Sequence, residues 1–177
     1  SMGKIIKTPE DRFDNLEGYP FSPNYIEIAE GLNMHYVDEG PKDGPVYLLL
    51  HGEPSWSYLY RKMIPILSAA GNRVLAPDLI GFGKSDKFTE QSDYTYQSHM
   101  DWMTAFVKKL DLSEMLLFCQ DWGGLIGLRL VADMPDRFSK VVASNTILPN
   151  GMGKPAEAFM SWREFSQKSP KFNIGKI

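Results

Sequence analysis

The sequence predicts an α/β fold: a mostly parallel sheet with flanking helices. Two observations carry this reading. Four short runs, at 46–50, 73–76, 115–119 and 141–144, have the near-unbroken apolar character of strands covered on both faces. Between them lie segments with apolar residues at helical spacing. Strands that alternate with helices imply parallel pairing through right-handed crossovers.

The elements follow in order. Residues 25–28 alternate apolar and polar, and 32–37 follow Gly31, which reads as an antiparallel hairpin with one covered face. A Gly- and Pro-rich turn at 40–45 leads into the first buried strand, Val46 to Leu50. A helical stretch from about 57 to 70 is expected to end at Gly71. The second strand, 73–76, stops at Pro77-Asp78. A helix is expected to begin near residues 93–96, because Met100, Met103, Phe106, Val107 and Leu110 then recur along one face. The third strand, 115–119, runs into a helix over 123–134 closed by Pro135, and 141–144 is the fourth. After Asn145 the character changes: 147–153 is a Pro- and Gly-bearing loop, and 157–167 starts a new helical segment. Residues 1–145 therefore form one unit, and 146–177 open another.

Bulk properties narrow the function classes. A length of 177 residues suits one domain with a sizeable core. A formal net charge of −3 offers no basic footprint, which argues against a nucleic-acid partner. No apolar run approaches the roughly 20 residues of a spanning helix, so no membrane partner is expected. Ser1-Met2-Gly3-Lys4 lacks the apolar region of a secretory signal. The one cysteine, Cys119, allows no intrachain disulfide, which fits a reducing, cytoplasmic setting.

Ligands of open parallel sheets bind beyond the carboxyl ends of the strands. Three such ends carry polar or Gly-rich turns: 51–54, 77–85 and 120–124. The last, Gln120-Asp121-Trp122-Gly123-Gly124, is the most informative. A strand turning sharply into a helix, with small residues around one reactive side chain, is a nucleophile elbow. Asp121 holds the nucleophile position, and Cys119 is the small residue two positions earlier. Read alone, Asp121 would also suit a helix cap. The His51-Gly52 turn upstream and the apolar strand leading in favour the nucleophile. In such a site an oxyanion is held by the N–H after the nucleophile and by one from the earlier loop. These are the backbone N–H groups of Trp122 and Glu53. His51 is expected to brace its loop, and His35 and His99 to be surface or packing residues. Residues 81–85 resemble a phosphate loop in composition, yet they lack its spacing and are expected to be structural.

Residues 51–63, 76–87 and 120–124 together resemble haloalkane dehalogenases of the α/β-hydrolase superfamily, with the likeness clearest from about 25 to 145. Glu53 after His-Gly resembles the branch whose halide is held by two tryptophans. The resemblance implies that Asp121 attacks the halogen-bearing carbon and forms an alkyl ester. It implies that halide leaves toward the indoles of Trp122 and Trp162, and that no metal or organic cofactor is needed. It also implies that 146–177 begin a helical cap. The histidine base and acidic partner of that family match none of the three histidines here, so the chain is expected to be truncated within the cap. A complementary polypeptide or self-association is then the expected partner, alongside a small apolar halogenated substrate and halide. Two alternatives stay open: an epoxide hydrolase, whose cap tyrosines have no counterpart after Tyr96, and an inactive module that keeps the elbow as scaffold.

Overall fold

The structure is a computed structural model that describes residues 3–52 and 55–144. Glu53, Trp162 and the expected cap over 146–177 lie outside the described residues.

Among the described residues, eight strands and three α-helices follow one another along the chain. β1 (Ile5–Ile6) is followed by β2 (Asn24–Ala29), β3 (Leu32–Glu39) and β4 (Val46–Leu50). Next come α1 (Met63–Ala69), β5 (Arg73–Pro77), β6 (Lys87–Phe88) and α2 (Tyr96–Lys109). β7 (Met115–Gln120), α3 (Trp122–Asp133) and β8 (Phe138–Ser144) complete the series. The main sheet has six strands in the order β2-β3-β5-β4-β7-β8. β4 pairs in parallel with β5 and β7, and β7 with β8, whereas β2–β3 and β3–β5 are antiparallel. The expected hairpin and all four buried strands are present.

The sheet is covered on both faces, which explains why β4 reads as continuously apolar. Leu48 and Leu50 point into one core with Leu75, Leu117, Met103, Phe106 and Ile126. Leu49 points the other way, with Val37, Val74, Ala76 and Ile64. The period of two thus sends alternate residues to α2 and α3 on one face and to α1 on the other.

Two details depart from the expectations. The helical stretch expected over 57–70 is divided into a 3-10 turn, Ser57–Tyr60, and α1. Pro65 fits α1 because it stands in the first turn, where N–H groups have no intrahelical acceptor. The small antiparallel pair β1–β6 was not anticipated. The helix expected after 93–96 begins at Tyr96, where the Thr95 hydroxyl accepts the Ser98 N–H at 2.9 Å. Gly71, at φ +91°, ends α1 as expected. Among the described residues, no helix is long and apolar enough to cross a membrane.

From β4 the chain moves through α1 to β5, while from β7 it moves through α3 to β8 on the other side. The carboxyl ends of β4 and β7 therefore flank the crevice where the connections diverge, the place where open α/β sheets hold ligands.

Candidate active site

Asp121 sits at that crevice, between β7 and α3. Its backbone has φ 52° and ψ −124°, a region few residues with a side chain adopt. Such strain costs about 1–3 kcal/mol and persists only where the surroundings enforce it. The Asp121 side chain makes no cap hydrogen bond to α3. The carboxylate is therefore not spent on closing the helix, and the capping reading fails on geometry.

The turn is enforced by close approach. A Cβ on Gly52 would lie 2.5 Å from Asp121 Cβ and 2.9 Å from its Oδ2. A Cβ on Gly123 would lie 2.3 Å from the His51 carbonyl oxygen and 2.8 Å from that of Leu50. Only glycine lets α3 start against the end of β4 and lets the His51-Gly52 turn lie on Asp121. Deeper in, Cys119 is fully buried and Gly127 faces it across the helix–strand contact. Burial pushes the Cys119 thiol up to about 12, which keeps it protonated and inert.

Trp122 opens α3, so its backbone N–H belongs to the set at a helix start that lacks intrahelical acceptors, at the positive end of the helix dipole. The residue is 42% exposed, high for so large and apolar a residue, with Tyr96 beside it at 6.3 Å between ring centroids. Glu53 and Trp162, the other two residues assigned from sequence, are outside the described residues.

His51 is a brace, as expected. It is fully buried; the Leu79 N–H donates to its Nε2 at 2.9 Å, and its Nδ1 donates to the Gly52 carbonyl at 2.8 Å. Burial holds its pKa below the usual histidine value, so the ring stays neutral in one tautomer. His99 is half-buried against Tyr94 and Trp102, a packing residue, with its pKa lowered by burial to about 4.

His35 is not a surface residue. It is completely buried, with Nδ1 at 2.9 Å from Asp78 Oδ2. Sequence reasoning missed Asp78, which ends β5 and is itself fully buried. Its Oδ1 accepts the Ser57 N–H at 2.7 Å, and its Oδ2 accepts the Lys84 N–H at 3.0 Å. Burial alone would raise the Asp78 pKa; the hydrogen bond and charge of His35, with His51 and the Lys84 amide, outweigh it and hold the carboxyl below the usual range. The run Pro77-Asp78 before two glycine turns was the available signal, since a carboxylate at a strand end must find donors when the loops close over it.

The 81–85 loop is structural, as expected. Its Lys84 amide is spent on Asp78, and the Lys84 ammonium lies 3.6 Å from Glu10 and over the Phe13 and Tyr19 rings.

The family assignment agrees with this geometry: residues 45–172 match the family described as alpha/beta hydrolase fold. The chain belongs to the α/β-hydrolase fold family. Within it, the chain is 57% identical over 176 residues to a haloalkane dehalogenase of Psychrobacter cryohalolentis, covering 97% of this chain and 58% of that protein. A solved tetrameric haloalkane dehalogenase of Paraglaciecola agarilytica superposes with a TM-score of 0.79 at 48% identity, over 93% of this chain and 56% of that one. An epoxide hydrolase of Vigna radiata superposes less well, with a TM-score of 0.63 at 34% identity, over 70% of this chain and 38% of that one. The chain spans a little under three-fifths of the length of the dehalogenases to which it is similar. As an α/β-hydrolase, it presents at its elbow a carboxylate where the fold can also place a hydroxyl or thiol.

Proposed function

We propose that the protein carrying this chain is a haloalkane dehalogenase, a hydrolase of carbon–halogen bonds, with Asp121 as nucleophile. The observation that carries the reading is an elbow aspartate held in a strained turn with its carboxylate uncommitted to the helix. The likeness to named dehalogenases favours halide over epoxide chemistry.

In the first step an Asp121 oxygen attacks the halogen-bearing carbon in line. The carbon–oxygen bond forms as the carbon–halogen bond breaks, and halide leaves with the bonding electrons. The indoles of Trp122 and Trp162 donate to the departing anion. Donors aimed at charge that grows along the reaction favour the transition state over the ground state. In the second step water attacks the ester carbonyl, and the oxyanion lies on the N–H groups of Glu53 and Trp122. Alcohol then leaves and the carboxylate is restored. A histidine other than these three serves as base in this proposal, since both nitrogens of His51 are engaged and His35 is sealed beside Asp78. The chain's substrates are small and apolar, and a cytoplasmic setting is consistent with its single, buried cysteine. Self-association, or pairing with a complementary polypeptide, belongs to the same proposal and is supported by the tetramer of the Paraglaciecola relative.

The test is bromide release from 1,2-dibromoethane by the full-length protein and its Asp121→Asn variant. Steady release that the substitution abolishes is expected. Undiminished release from the variant, or opening of styrene oxide without any halide release, would contradict the assignment.

A further inference from the structure

Asp78 touches no part of the proposed reaction, yet its contacts converge on the turn that does. The Ser57 N–H, at one end of the segment after β4, donates to its Oδ1. At the other end, the residue following Asp78 holds His51 through Leu79 N–H, and His51 in turn holds the Gly52 carbonyl. Gly52 lies against the Asp121 carboxylate. The end of β5 thus holds Gly52 through His51 and holds Ser57 directly, with Asp121 beside Gly52.

The grip is itself fixed from behind. The Asp78 N–H donates to the His35 carbonyl at 2.9 Å, the Ser85 hydroxyl donates to the Asp78 carbonyl at 2.6 Å, and the His35 N–H donates to Ser85 Oγ at 2.8 Å. Among the described residues, each hydrogen-bond partner of the Asp78 carboxylate is a donor: Ser57 N–H on one oxygen, Lys84 N–H and His35 Nδ1 on the other. A side chain that only accepts satisfies all three. An amide in its place turns a donor toward either Ser57 N–H or Lys84 N–H, and strands one of them.

We propose that Asp78, oriented by His35, is a positioning residue that sets the turn after β4 against the nucleophile. The proposal rests on the two-step reaction above, in which that turn supplies an oxyanion donor for ester hydrolysis and none for displacement of halide. Loosening the turn should therefore slow the second step selectively. A purely structural role would lower both steps together, in proportion to the folded fraction.

The experiment compares the full-length protein with Asp78→Asn, measuring first-turnover and steady-state bromide release, both per total protein, and ester on Asp121 by intact mass. The variant is expected to lose roughly 10- to 100-fold in steady state while first-turnover release stays within about threefold, so that ester accumulates. Where Asp78→Asn does not fold, Ser57→Pro tests the same contact. It deletes the donated N–H at the first position of a 3-10 turn, after a Trp56 already extended at φ −158° and ψ −174°. An equal fall in both steps, with no ester on either variant, would overturn the positioning role and leave the dehalogenase reading standing. No bromide from the unsubstituted protein would overturn both.

Discussion

Asp121 owes its strained position to neighbours that are missing a carbon. Gly52 and Gly123 bring two backbones within reach of it, and neither position has room for a methyl group. At Gly123 the obstacles are the His51 and Leu50 carbonyl oxygens, which are backbone and cannot swing aside. Gly123→Ala should therefore cost about 1–3 kcal/mol, the range for forcing volume into a filled site. A urea midpoint equal to that of the unsubstituted chain would show that the elbow is looser than described. Cys119, two residues before Asp121 and close to Gly127, is a small apolar filler as a buried thiol.

At the scale of elements, legibility followed periodicity. Strands β4, β5, β7 and β8 could be read because burial on both faces leaves an apolar run no surface strand would carry. Helix α2 could be read from Met100, Met103, Phe106 and Val107, all of which are buried. The two-residue strands β1 and β6 are too short to carry any period. The stretch expected as one helix is divided into a 3-10 turn and α1, and the turn begins where the Ser57 N–H donates to Asp78, a contact between residues 21 apart that no local pattern signals. The site divided the same way. Asp121, Gly123 and Gly124 lie within five consecutive residues, so the sharp strand-to-helix turn was legible, whereas Gly52 comes to it from another strand end. Asp78 and His35 are 43 residues apart, and a histidine on an alternating strand gives no sign of which carboxylate will bury beside it.

At the scale of the whole molecule, titratable groups taken wholly or partly out of water by folding make the structure sensitive to acid. The unfolded chain takes up a proton on His99 near pH 6.5, whereas the folded chain resists until about 4. Between those values the unfolded state holds more protons, so stability rises with pH and falls on acidification. Asp78 acts in the same direction at lower pH: its depressed folded pKa contributes stability that is present above the ordinary carboxylate range and lost as pH falls through the folded value. Urea midpoints should therefore drop as pH is lowered from 7 toward 4.5, and His99→Gln should flatten that slope. A slope unchanged by the substitution would assign the acid sensitivity to other groups.

The central claim, covalent attack by Asp121, is tested most directly by a single turnover of 1,2-dibromoethane in heavy-oxygen water with the full-length protein. Water that attacks the ester carbonyl leaves its oxygen on the Asp121 carboxylate, and the alcohol takes its oxygen from the protein. The expected result is a heavy-oxygen label in the peptide bearing Asp121 and an unlabelled first-turnover alcohol. A labelled alcohol with unlabelled Asp121 would mean that water attacks the substrate directly, and that the elbow carboxylate is not the nucleophile.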